Sequence, residues 1–187
     1  MVAAPSTRPR REAIVDEAVR LFRAHGVHAV TTRAIAAAVG ISQPSLYAHF
    51  ATKQAIVEAA CIRAFQGLTS AMRDALALPD AEALPAMARA YVDFALRQPD
   101  AYRVAFMIED EPPGEAVMQA AGEAFQLYRA AVARRHPDAP PADVDMIAQS
   151  AWVSLHGLVS LLIARPDFSW CDRARLIDFH IGRTAPG

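Results

Sequence analysis

Cysteine is almost missing from this chain: Cys61 and Cys171 are the only two in 187 residues. Two thiols so far apart make neither a disulfide framework nor a metal-ligand spacing. Each falls inside a helical pattern, where a thiol behaves as a small buried hydrophobe, and a reducing cytoplasm is the expected setting. Aromatic residues are scarce too, at 7%. No stretch alternates apolar and polar residues as a half-buried strand would. Catalytic signatures are also missing: there is no Gly-x-Ser-x-Gly, no phosphate-cradling glycine loop and no His-Glu-x-x-His. The six histidines are scattered, and Glu109, Asp110 and Glu111 beside Pro112 read as a solvated loop rather than as paired carboxylates. Neither enzyme chemistry nor a metal or cofactor is expected. The Pro- and Arg-rich start has no apolar run of the signal-peptide kind. The most apolar segment, about Ile147 to Ala164, is marginal in length for a bilayer span. Gln149, His156 and several serines interrupt it, so it reads as a buried helix, without membrane contact.

What the chain has in plenty is alanine, leucine and arginine. Alanine and leucine carry little helix penalty, and the composition, 53% hydrophobic and 21% charged, is that of a soluble all-α protein. A disordered arm is expected over Met1–Arg8. Helices are expected at about Pro9–His25, from Thr31-Thr32 to Gly40, from Ser42 to about Phe50, and at Thr52–Leu78. Further ones follow at Asp80–Gln98, Asp100–Ile108, Pro113–Arg135, Ala142–Ala164 and Asp172–Gly182. Proline-containing breaks separate several of them. The charge is uneven: residues 1–53 hold seven Lys/Arg against three acids, a formal +4, which leaves −5 for the rest of a chain of net −1. A basic head on an acidic body fits contact with a polyanion at one end.

The informative stretch runs from Thr31 to Lys53. Gly40 makes a tight turn between two short helices, Ser42 caps the second, and Pro44 sits in its first turn, where a missing N–H costs nothing. This is helix-turn-helix logic, which presents the second helix to the major groove of DNA. Ser42, Gln43, Ser45, Tyr47 and His49 gather hydrogen-bonding groups on one surface. A glutamine amide matches the adenine edge, and an arginine fork the guanine edge. Thr32, Tyr47, His49 and Lys53 suit phosphate oxygens.

The same residues carry a resemblance. Leu21-Phe22 closing the first helix, Ala24-His25-Gly26, Thr31-Thr32, Ile35-Ala36, Gly40-Ile41-Ser42, Leu46-Tyr47-x-His49-Phe50 and Lys53 resemble the N-terminal signature of the TetR family of bacterial repressors, over about Arg11 to Ala59. The resemblance implies Arg33 and Gln43 as base readers, Pro44 as an apolar contact to thymine methyls, and Thr32, Tyr47, His49 and Lys53 as phosphate contacts. Gln98–Arg103 and Trp152–Gly157 resemble the C-terminal ligand-binding domain of a TetR subgroup with a Trp-His-Gly motif, although here Trp152 stands four residues before His156-Gly157.

Two domains are therefore expected: residues 1–52 as the DNA-binding head, and residues 53–187 as a helical body for regulation, ligand binding and dimerisation. Phe65, Tyr91, Phe94, Tyr102, Phe106, Met118, Phe125, Trp152 and His156 are the ligand-binding candidates, with Met107 and Tyr128 as further aromatic or flexible side chains at helical spacing. His156 lies one turn after Trp152 on an apolar helix and needs a partner, either a ligand or a backbone carbonyl. The expected partners are palindromic double-stranded operator DNA, a small hydrophobic effector and a second copy of the chain. That copy would pack on the two C-terminal helices, about Ala142–Ala164 and Asp172–Gly182; the apolar residues of the first fall on two sides, Ile147, Ala151, Leu155, Leu158 and Leu162 on one, Trp152, His156, Val159 and Ile163 on the other. Ser150, Ser154 and Gly157 would allow close approach. The function expected is an effector-released repressor. The alternative is a DNA-binding regulator controlled by a protein partner, or acting constitutively, with a fully packed body.

Overall fold

Local capping sets the boundaries of the first helices. A computed structural model of the chain describes residues 10–106 and 113–184. The expected arm Met1–Arg8, the acidic stretch Glu109–Glu111, Met107 and the end of the sixth helix at Ile108 lie outside the described residues. Helix α1 (Arg10–His25) is followed by Gly26, whose N–H bonds the Phe22 carbonyl at 2.8 Å and whose φ of 78° is left-handed, a conformation that costs glycine little. Thr31 caps α2 (Thr32–Val39) by accepting from the Ala34 N–H at 3.1 Å. Gly40 ends α2 at φ 73°. Ser42 accepts from the Ser45 N–H at 3.2 Å to start α3 (Gln43–Tyr47), and Thr52 does the same for α4 (Lys53–Leu76) with Ala55 at 3.0 Å. Each such cap satisfies one of the orphan N–H groups of a first turn and contributes about 1 kcal/mol.

The head closes on a small core. Ile14, Ala18 and Phe22 of α1 meet Val30, Ile35 and Ala36, Leu46 of α3, Phe50, and Ile56 of α4. Burial of a side chain such as Leu46, which is fully enclosed, stabilises by about 1.5–3 kcal/mol. Arg11 covers this core from outside, its guanidinium 4.4 Å from the Phe50 ring centre.

Past the head, α4 becomes the axis of the body. It packs against α5 (Asp80–Arg97), α6 (Pro99–Phe106) and α7 (Glu115–Arg135). Helix α8 (Pro141–Ala164) packs on α5 and α7, and α9 (Arg173–Thr184) on α8 and α5. No strand occurs among the described residues, so the all-α expectation holds. Cys61 is buried in α4 as expected, whereas Cys171 is exposed just before α9. Helix α8 is long and apolar enough to cross a membrane by length and composition, yet here it lies against three other helices.

The faces of α8 differ from the sequence expectation. Ala151, Leu155, Leu158 and Leu162 from one expected side, and Val159 and Ile163 from the other, are all buried within the protomer. Neighbours on several helices cover a wide arc of α8, so both sets go inward. What stays open is a third stripe, with Met146, Val153 and Leu161 more than half exposed.

Candidate DNA-reading surface and effector cavity

Helix α3 holds its polar residues in a connected network. The Gln43 Nε2 donates to the Thr32 hydroxyl at 3.1 Å, and the same hydroxyl is 3.1 Å from the Tyr47 hydroxyl. Thr32 opens α2 and Gln43 opens α3, so this oxygen joins the two helices across the Gly40 turn. The hydrogen bonds with Thr32 first and Gln43 second hold the Tyr47 phenol below its ordinary pKa. The Gln43 amide thus serves both the Thr32 and the Tyr47 hydroxyls, and its carbonyl oxygen and NH2 group are the acceptor and donor types that an adenine edge requires. Arg33, Ser42, Pro44, Ser45, Tyr47 and His49 are exposed on the same head.

Lys53 stands apart from this set. It is only partly exposed, and its Nζ donates to the Val27 carbonyl at 2.8 Å and the Val30 carbonyl at 3.2 Å. The lysine expected to face phosphate thus also ties the α1–α2 loop to the first turn of α4. An ammonium has three donors, so one remains.

The body contains a cavity of about 220 Å³. Phe65, Leu68 and Met72 of α4, Tyr91 of α5, Phe106 of α6, a run of α7 and two residues of α8 line it. Six of the nine candidates meet there: Phe65, Tyr91, Phe106, Met118, Phe125 and Trp152. Met118 and Trp152 are partly open to solvent and mark the mouth. Tyr102 and His156 stand just behind the wall. The Tyr102 hydroxyl is 2.6 Å from His156 Nδ1 and 3.1 Å from the Tyr91 hydroxyl. The partner of His156 is therefore a phenol from α6, neither a ligand nor a backbone carbonyl as its position suggested. Burial lowers the His156 pKa and raises that of Tyr102, so the pair is neutral near pH 7.

Phe94 does not join the cavity. Its ring packs over Gly67 of α4, with Cε2 3.2 Å from where a Cβ would stand, and it lines a wider cleft beside α1 and the start of α6. Leu68, Met72 and Leu155 also line the cavity, although none of the three is among the ligand-binding candidates and Leu155 was expected on one side of a helix that meets a second copy. Leu68 and Met72 continue the face of Phe65 at spacings of three and four, which was the available signal.

Among the described residues, ion pairs join head and body. Arg23 of α1 meets Asp100 of α6 at 3.2 Å, and Arg63 of α4 meets Asp16 of α1 at 2.6 Å. Both are substantially exposed, so their energetic contribution is small. Their interest is positional, because α4 and α6 also wall the cavity.

Two family models match the chain: "Bacterial regulatory proteins, tetR family" over residues 14–60, and "Tetracyclin repressor-like, C-terminal domain" over residues 84–182. The chain belongs to the tetR family. Among curated relatives it is similar to the class D tetracycline repressor protein of Escherichia coli, 38% identical over 55 residues, which are 29% of this chain and 25% of that protein. The chain thus spans about a quarter of the length of the tetracycline repressors it matches. The fold is similar to the TetR family transcriptional regulator PfmR from Thermus thermophilus, with a TM-score of 0.72 at 21% identity over 93% of this chain and 97% of that one. It is also similar to the protein in a SmeT–triclosan complex, with a TM-score of 0.70 at 18% identity over 95% and 90% of the two chains.

Proposed function

We propose that this tetR-family chain is a cytoplasmic transcriptional repressor rather than an enzyme, and that it binds palindromic operator DNA as a homodimer and leaves it when a small hydrophobic effector enters the body. In this reading residues 1–52 form the reading head and residues 53–187 the regulatory and dimerising body, of the subgroup that carries Trp and His-Gly in its penultimate helix. Arg33 and Gln43 read bases, Pro44 meets thymine methyls, and Thr32, Ser42, Ser45, Tyr47, His49 and Lys53 fix the register.

The observation that carries the proposal is the double duty of α4. Its first residue, Lys53, is bonded to the head, and about three to five turns later Phe65, Leu68 and Met72 wall the cavity. Helix α6 repeats the arrangement, with Phe106 at the cavity and Asp100 paired to Arg23 of the head. A ligand that prefers a displaced α4 or α6 shifts the spacing of the two heads. It releases DNA only to the extent of that preference, about 2.7 kcal/mol for a hundredfold loss of affinity. The cavity, and the ligand complex of the SmeT neighbour, favour this over a partner-controlled regulator with a packed body.

The test starts with selection from random duplexes, expected to enrich a palindrome with half-sites about one helical turn apart. The bound complex is then titrated with small apolar compounds. Gly122 lines the cavity, and a Cβ there would meet nothing within 4 Å. Gly122→Phe is therefore expected to keep operator binding and to lose release by compounds that free the parent. No enriched duplex would sink the DNA reading, and undiminished release from the variant would sink the cavity.

Gln43→Ala is expected to change sequence preference more than non-specific affinity. Loss of one bidentate contact costs about 1–3 kcal/mol at one base-pair position. Parent and variant selecting the same site with the same stringency would remove Gln43 from the base readers.

A further inference from the structure

We propose that Thr32 is a positioning residue for sequence reading: its hydroxyl stands between Gln43 and Tyr47, spends its one hydrogen on Tyr47 and fixes which way the Gln43 amide faces, while the phosphate contact falls to Tyr47. This rests on the reading of the head as a DNA-binding surface.

Placement comes first. Thr32 opens α2, and Gln43 and Tyr47 stand at the two ends of α3. The Gln43 Nε2 and the Tyr47 hydroxyl each lie 3.1 Å from the Thr32 hydroxyl oxygen. Thr32 and Gln43 are half-buried, whereas Arg33, Ser42, Pro44 and Ser45 beside them are exposed. A side chain sunk between two helices and bonded to both ends of one is placed to hold its neighbours.

The count of hydrogens assigns the roles. A threonine hydroxyl has one hydrogen and two lone pairs. It accepts from the Gln43 amide. Thr32 and Gln43 both lower the pKa of the Tyr47 phenol, as groups that donate to its oxygen do. The Thr32 hydrogen is therefore spent on Tyr47, and none is left for a phosphate, whose oxygens only accept. Tyr47 is 45% exposed. With its oxygen accepting, its own O–H is free to turn outward to that phosphate.

The consequence is for reading. With Nε2 turned to Thr32, the order of donor and acceptor on the Gln43 amide is set, and a base edge distinguishes the two orders. A glutamine also loses rotamer freedom when it is fixed on a base. A side chain held beforehand spares that cost on binding. The same chain of hydrogen bonds ties the base reader Gln43, through Thr32, to the phosphate contact at Tyr47.

Two experiments on the full chain test this, the first without DNA. The chain has four tyrosines. Burial raises the pKa of Tyr91, Tyr102 and Tyr128, so Tyr47 is the first phenol to ionise as pH rises. Phenolate absorbance should show this early step in the parent, and Tyr47→Phe should lose it. Thr32→Val keeps the side-chain shape and leaves the Thr31 cap of α2 in place. It should move the early step up towards an ordinary tyrosine, and Thr32→Ser should restore it. The second experiment compares affinity for the selected operator, its single-base variants and an unrelated duplex. Thr32→Val should lose about three- to tenfold in discrimination, the worth of one net hydrogen bond, at the base pair that Gln43→Ala also blurs. The unrelated duplex should show no matching loss, and Thr32→Ser should recover the discrimination. In a Gln43→Ala background Thr32→Val should cost no further discrimination. An early step unmoved in Thr32→Val, equal weakening on every duplex, or discrimination lost at a base pair that Gln43→Ala leaves untouched would each overturn the proposal. If the titration behaves as described but no duplex is bound specifically, the network stands and the DNA reading falls. If a duplex is bound specifically and Thr32→Val changes nothing, the DNA reading stands and the positioning role falls.

Discussion

A glutamate in place of Leu161 is expected to leave the protein monomeric and to cost it operator binding by about two to four orders of magnitude. Leu161 is 55% exposed and Val153 is 66% exposed on α8, and Ser150 and Gly157 share the same stripe. A large apolar stripe on one helix of a regulator calls for a cover. A two-fold partner supplies it and also supplies the symmetry that a palindromic site demands. In an isologous contact the substitution enters twice, so two carboxylates are placed in an apolar contact near their own images. Burying such charges unpaired costs several kcal/mol. A monomer then holds one half-site instead of two, and the joint engagement of both heads, worth a factor of about 10²–10⁴, is lost. The position matters. Leu158 and Leu162, which the sequence pattern also offers as interface residues, are 8% and 3% exposed within the protomer. A charge there would unfold the body before it reported on dimers. Leu161→Glu should therefore be compared with the parent by solution mass, helical content and operator affinity together. A dimer of unchanged mass that still binds operator would remove this stripe from the interface.

The head was legible because its determinants are local. Thr31, Gly40, Ser42 and Thr52 act within four residues of themselves, and each cap and turn stands where the sequence places it. The helices of the body were legible for a similar reason, since prolines and apolar spacing mark their ends. What failed was non-local. The apolar residues of α8 indicate burial, but which arc of the helix the neighbours cover depends on α5, α7 and α9. The partner of His156 comes from α6, 54 residues away, and no spacing rule links the two. Phe94 differs from Tyr91 by less than one turn, yet one packs on Gly67 and the other faces the cavity. A void is the hardest feature to read, because the leucines and methionines that line it are the same types that fill a core.

Lys53→Met should lower operator affinity by about ten- to a hundredfold on every sequence and should also loosen the head. A lysine in the first turn of a helix is disfavoured by the positive end of the helix dipole, so its place needs an offsetting gain. The Val27 and Val30 carbonyls provide it at 2.8 and 3.2 Å. Hydrogen bonds from a charged donor are worth about 1.5–3 kcal/mol when enclosed, and less here because Lys53 is partly exposed. Methionine keeps the apolar stem and removes the donors. The α1–α2 loop should then exchange its amide hydrogens faster, and the head should melt earlier. If the third N–H reaches a phosphate, the slope of log affinity against log salt should also fall by about 1. The two roles separate in one titration. Faster exchange with an unchanged slope makes Lys53 a positioning residue that holds the loop to α4. A shallower slope adds the phosphate contact. Unchanged affinity, slope and exchange would remove both roles, and with them the tie through which a displacement of α4 reaches the head.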